Sequence, residues 1–292
     1  MADLVIRPLS GEEKAFIEEA ARYLERPSLL MKLADTVGRP LESVGAMIPD
    51  AVHEAVHKAL TKVFETALQT IPAESSGSTS LTEIEEINAW NGFFHTVSTA
   101  LTGVAGGLLG ASGFAAELPL TTTLMFRSIA RIAQEYGEDL NDPPTRLECM
   151  TIFSHGGGHS PEQVSMESSY LTTRASFVAL TREAARFVAK TSATQLSEAV
   201  ARGSAPVLVR LMAQIASRFN LVVSQKFLAQ AVPVAGALGG GAINAAFTDH
   251  FNRVARYHFG LRRLEREYGQ EWIEEIYTDS VKLLTDGSEK GG

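Results

Sequence analysis

The chain has 292 residues, 45% hydrophobic and 21% charged, enough for one large core or two halves. Its net charge of −8 leaves no basic surface in bulk, which argues against a nucleic-acid binder and offers no polybasic anchor for anionic lipid. A single cysteine, Cys149, excludes an internal disulfide, and the opening Met1 to Arg7 lacks both the basic and the apolar region of a Sec-type signal, so a cytoplasmic location is expected.

Apolar residues recur at three and four along nearly every segment, with hardly any two-residue alternation, which predicts an all-α multi-helix bundle. Ser10 with Glu13 forms a capping box that opens a helix ending before Pro27. Ser28 caps a second helix that stops at Gly38 and Pro40. From Pro49 and Asp50, the residues Val52, Val56, Leu60, Val63, Phe64 and Ala67 share one face of a helix reaching about Ile71. Residues 72–80 are small and polar and read as an exposed loop.

Two charge-free, glycine-rich runs follow, and they belong to an internal duplication. The first runs from Ile87 to Ala116 and is followed by Glu117 and a segment closing on Arg131, Glu135, Tyr136 and Gly137. The second runs from Phe227 to Thr248 and is followed by Asp249 and a segment closing on Arg263, Glu267, Tyr268 and Gly269. The offset is 132 for the acid, the Arg, the Glu, the Tyr and the closing Gly alike. The halves span about 87–137 and 227–269 of a single domain over 1–286, with a tail at 287–292 that should fray. Both runs are long enough to cross a bilayer. Their glycines, Gly103, Gly107 and Gly110 among them, instead favour close backbone packing in helical hairpins or hairpins that open onto lipid.

Between the halves, Asn141-Asp142-Pro143-Pro144 turns into a helix from about Thr145, Gly156 to Gly158 break the chain, and Pro161 reopens it. The stripes Phe177, Leu180, Ala184, Phe187 and Leu208, Leu211, Ile215, Phe219 then mark core helices.

Three patterns bear on chemistry. His53-Glu54-Ala55-Val56-His57 is an H-E-x-x-H, which on a helix sets two histidines one turn apart for Zn²⁺ with the Glu as general base. His57 is not followed by the x-x-G-x-x-H that would supply a third ligand, although Glu83, Glu85 or Glu86 could in principle, and a solvated helix face is the simpler reading. His155-Gly156-Gly157-Gly158 has the form of an oxyanion loop but lacks a G-x-S-x-G partner, so a turn is favoured. Glu117 and Asp249, as equivalent acids, either complement helix N-termini or pair across a pseudo-twofold with Arg127, Arg131, His250, Arg253 and Arg263 near them.

The stretch Ala116-Glu117-Leu118-Pro119-Leu120-Thr121-Thr122-Thr123-Leu124-Met125-Phe126-Arg127-Ser128-Ile129, continuing through Tyr136-Gly137 to the acidic turn at Asp139 to Asp142, resembles the signature of the EcsC family. So does the later Pro233-Val234 to Asn244-Ala245-Ala246-Phe247-Thr248-Asp249-His250-Phe251. The resemblance runs from about Tyr23 to Tyr268. It implies a bacterial, mainly helical protein associated with an ABC-type exporter operon, loosely labelled a transporter-associated hydrolase and without an agreed catalytic motif. Glu117, Pro119, Arg127 and Asn244 match the family pattern; the H-E-x-x-H does not belong to it.

The expectation is therefore a non-enzymatic accessory protein, peripheral to the inner face of the cytoplasmic membrane, that contacts lipid or a membrane transporter, with no nucleic acid, no cofactor and scope for oligomers. Its contact residues would include Gly103, Gly107, Gly110, Pro119, Asn244, Arg131 and Arg263. The alternative is a hydrolase, either zinc-dependent through His53, Glu54 and His57 or built on Glu117, Asp249, Arg127 and His250 where the repeats meet.

Overall fold

The computed structural model describes residues 8–25, 48–68, 110–155, 168–191, 195–196, 198–199, 202, 204–231 and 239–289. Among them eight helices form and no strand: α1 (Gly11–Leu24), α2 (Asp50–Leu68), α3 (Gly110–Glu135), α4 (Pro143–His155), α5 (Ser169–Val188), α6 (Pro206–Ala231), α7 (Gly239–Tyr268) and α8 (Gln270–Glu289). The expected all-α bundle is what the chain forms. The helix expected from Ser28, the loop 72–80, the reopening at Pro161, most of the first glycine run and residues 232–238 of the second lie outside the described residues.

Local rules explain the helices that carry a clear stripe. Ser10 accepts from the Glu13 amide at 3.2 Å while Glu13 accepts from the Ser10 amide at 2.7 Å, so the capping box opens α1. On α2 the residues Val52, Val56, Leu60, Val63, Phe64 and Ala67 are all buried, and on α6 so are Leu208, Leu211, Ile215 and Phe219. α8 continues to Glu289, so its last turn enters the segment expected to fray.

α4 follows a different rule. Nine of its 13 residues are buried, among them Thr145, Arg146, Leu147, Met150, Phe153 and Ser154, which lie on all sides of the helix. A helix buried all round has no solvent face to create a period. It packs against α2, α3, α5, α6 and α7 and forms the centre of the bundle. Phe153 meets Phe219 of α6 at 5.0 Å and Phe251 of α7 at 5.3 Å between ring centroids, and Phe247 closes the cluster on Phe251 at 5.2 Å.

α3 and α7, the helices of the two repeat halves, lie side by side and parallel. Near their starts Asn244 reaches Glu117, and at their ends Arg266 donates to the Tyr136 carbonyl at 2.6 Å while Arg263 stacks 5.8 Å from the Tyr136 ring. Each helix ends on the equivalent glycine in the left-handed region, Gly137 at φ +82 and Gly269 at φ +98. At Gly137 the amides of Gly137 and Glu138 return to the carbonyls of Gln134 and Ala133 at 2.9 and 3.0 Å, a Schellman closure. At Gly269 a single bond to Glu265 at 2.9 Å does the same work before α8 begins at Gln270.

Space around a Cβ is available at both glycines, since the nearest atom is 3.6 Å away at Gly137 and none lies within 4 Å at Gly269. Backbone strain alone then sets the penalty. Gly137→Ala and Gly269→Ala should each lower unfolding free energy by about 1–2 kcal/mol in urea titrations, while Gly269→Asn should cost less. Equal stability of the alanine variants and the parent chain would contradict this account of the two helix ends.

Candidate functional site

Pro119 cannot donate to the carbonyl of Ala115, and a proline inside a helix opens the ladder there. The three threonines that follow bond back to the helix, Thr121 to the Glu117 carbonyl at 3.2 Å, Thr122 to Leu118 at 2.7 Å and Thr123 to Pro119 at 2.8 Å. Glu117 sits just before this irregular turn and points between α3, α6 and α7. Its Oε1 accepts from Asn244 Nδ2 at 2.8 Å and from Thr121 Oγ1 at 3.4 Å, and lies 3.6 Å from Lys226 Nζ.

Lys226 is fully buried, and its ammonium stands between two rings, 5.3 Å from the centroid of Phe114 and 4.7 Å from that of Phe247. The rings and Glu117 replace the water it has lost. Burial pushes its pKa below the ordinary lysine value, and the Glu117 charge opposes that shift. Among the described residues neither Lys226 Nζ nor Glu117 Oε2 has a hydrogen-bond partner, and Thr248 Oγ1 on α7 has none either. The arrangement holds a carboxylate and an amine in a dry place with bonding capacity unspent, which is what acid-base chemistry or a polar ligand requires. Lys226 had no signal of its own in the sequence, because it lies at the end of the apolar stretch of α6.

The other expected site residues are dispersed. Asp249 is on the surface, 60% exposed, paired with Arg253 at 2.8 Å. It is therefore not brought to Glu117, and the two acids have separate partners. Nor do they cap helices, since α3 begins by Gly110 and α7 by Gly239, well upstream of each. Arg127 and Arg131 are exposed on α3, and Arg263 is exposed with Glu267 3.7 Å away. His250 is buried, with Nδ1 at 2.9 Å from the Tyr23 hydroxyl of α1. Gly110 starts α3, whereas Gly103 and Gly107 lie outside the described residues.

The H-E-x-x-H lies on the outer face of α2. Glu54 is bound to Lys58 at 2.8 Å, and that hydrogen bond and charge hold its carboxyl below the usual range, the wrong direction for a general base. His53 Nδ1 is 3.3 Å from Asn220 Oδ1 and His57 Nδ1 is 3.5 Å from Thr61. Among the described residues no group of three His, Cys, Asp or Glu is placed to hold a metal, and Glu83, Glu85 and Glu86 lie outside them.

A second buried polar cluster escaped the sequence reading. His258, with no exposed surface, has Nε2 at 3.0 Å from Glu148 Oε1 and Nδ1 at 2.9 Å from the Tyr170 hydroxyl. Burial holds His258 below its ordinary pKa while the Glu148 carboxylate pulls the other way, and its two ring nitrogens span that carboxylate and the Tyr170 phenol. Burial pushes Glu148 up, but the contact with His258 and the charges of Arg262 and Arg174 outweigh it and hold the carboxyl at about 2. Arg174 grips Glu265 with both nitrogens, and Arg262 and Arg266 meet at Glu138. The His155 ring stacks 5.4 Å from His258, and its nitrogens have no partner among the described residues.

One signal for this cluster was present. By the offset of 132, His250 and His258 stand where the first half has Leu118 and Phe126, and all four are buried. Polar residues replacing core residues in one of two equivalent helices mark where the halves differ.

The EcsC protein family model matches residues 13–264 of the chain. The chain belongs to the EcsC protein family. Comparison with curated proteins and with solved structures finds no match. Family membership thus covers all the helices from α1 through most of α7, including Glu117, Lys226 and the Tyr170–His258–Glu148 chain.

Two outcomes are expected of these clusters. Lys226→Met, which strands Glu117 in the interior, should cost about 3–5 kcal/mol in urea unfolding, and adding Glu117→Gln should recover most of it; additive losses would mean that the two are uncoupled. Acid should also weaken the fold in order. His155 and His258 have pKa values lowered from 6.5, so their contribution is lost as pH falls below 6.5. Glu148, lowered from 4.5 to about 2, adds a further loss below pH 4.5. Glu148→Gln should flatten that lowest limb of stability plotted against pH.

Proposed function

We propose that this EcsC-family protein is an accessory protein that contacts membrane lipid at the inner face of the cytoplasmic membrane and serves transport or envelope processes, without catalysing a reaction. α6 carries the reading. Its stretch Pro206–Phe227 is 22 residues long and apolar enough to cross a membrane, yet only 44% of its most apolar window is buried inside the fold. The side away from the core presents Val209, Ala213, Ser217 and Leu221, all exposed and four residues apart, so they form one row.

Val209 is 41% and Leu221 54% exposed. Single exposed apolar residues are ordinary on soluble proteins, but an uncharged row on an already apolar helix fits the face of a peripheral membrane helix. The absence of charge from 87–116 and from 227–248 supports the same reading at the level of composition.

Flotation of the purified full chain with vesicles tests it. The chain should rise with the lipid, and Val209→Ser with Leu221→Ser should weaken binding roughly 10-fold, by loss of buried apolar area, with helicity unchanged. Failure to float with any lipid composition would overturn the proposal.

A further inference from the structure

The net charge of −8 conceals a segregation. Between Ser169 and Ala231, the α5–α6 hairpin, there are eight basic residues and two acidic ones, a net +6, so the rest of the chain carries −14. The two helices run antiparallel. Thr173 bonds Arg218 at 2.8 Å, Ser176 bonds Gln214 at 3.1 Å, and Glu183 pairs with Arg210 at 3.2 Å.

The exposed cations are arranged as well as concentrated. Val178, Arg182, Arg186 and Lys190 follow one another at four-residue steps along α5 and just past its end, all exposed. Arg202 and Arg210 are engaged by Glu198 and Glu183, whereas no carboxylate among the described residues pairs with Arg182, Arg186 or Lys190. Three uncompensated cations therefore lie on the helix next to the uncharged row of α6.

We infer that the α5–α6 face docks on bilayers of anionic phospholipid, with Arg182, Arg186 and Lys190 meeting lipid phosphates while Val209 and Leu221 enter the boundary of the acyl region. This rests on the lipid-contact reading and adds the lipid class and the docking face. Charge complementarity selects the occupant: an apolar row flanked by cations matches an anionic bilayer in both parts. A nucleic acid would use the cations but leave the apolar row against water. The −14 of the remaining chain is repelled by the same surface, which fixes one orientation.

Flotation is run on the full chain with vesicles of phosphatidylcholine alone and of phosphatidylcholine with phosphatidylglycerol, at low and high salt. Anionic vesicles should bind at least 10-fold more tightly, and salt should remove the difference. The triple change Arg182→Gln, Arg186→Gln, Lys190→Gln touches no buried group and should cost roughly 100-fold on anionic vesicles, while binding to neutral ones stays as it was. Equal binding to both vesicle types, or a triple variant that keeps the preference, overturns the inference and leaves lipid contact standing. Absence of binding to either vesicle removes both. Binding of duplex DNA as tight as that of anionic vesicles, lost in the same triple variant, would assign the face to nucleic acid and overturn the inference.

Discussion

A carboxylate on the central helix of a bundle must find its partners inside the protein, and Glu148 is that carboxylate. α4 occupies the middle of the bundle, so its acid has little access to water. An unpaired buried charge is among the most costly defects a fold can contain. His258 and Arg262 of α7 and Arg174 of α5 therefore converge on it, and each brings a further partner, Tyr170, Glu138 and Glu265. The result ties the central helix to two neighbours by directional bonds, where apolar packing alone would tolerate rotation about its axis. Glu25 extends the tie to the first helix, receiving Ser168, the amides of Ser169 and Tyr170 at the start of α5, and the Tyr277 hydroxyl of α8.

The repeat halves use the same economy of charge. Parallel α3 and α7 place like ends of their dipoles side by side, and their C-terminal carbonyls would repel. Arg262, Arg263 and Arg266 gather at that end, over Tyr136 and Glu138. At the opposite end the halves diverge, since Glu117 is drawn inward by Asn244 and Lys226 while Asp249 stays in water beside Arg253. The likeness of the halves is strong along the chain and incomplete in space.

This explains which parts of the molecule could be read from the sequence. α1, α2 and α6 were legible because a half-buried helix writes its burial as a period, and a cap such as Ser10 with Glu13 is local. α4 could be located only by the turn before it, as burial on all sides erases the period. The positions of Glu117 and Asp249 followed from the duplication, but the idea that they start helices failed. Gly110 and Gly113 ahead of Glu117, and Gly239 to Gly241 ahead of Asp249, are themselves helical, because packing overrode their weak propensity. The partners were beyond reach: Glu148 meets His258 across 110 residues, and Glu117 meets Asn244 across 127. Net charge misled in the same way, since summation over the chain hid the basic hairpin.

Lys226 has one more consequence. It stands near the end of the apolar helix, deep in the fold, with Glu117 as its only counter-charge among the described residues. Were α6 to leave the bundle and thread a bilayer, it would drag that lysine toward hydrocarbon and abandon a carboxylate in the core. Under the proposed lipid contact the pair would set a depth limit, with the outer row of α6 free to meet lipid and the inner end of the helix anchored in the protein.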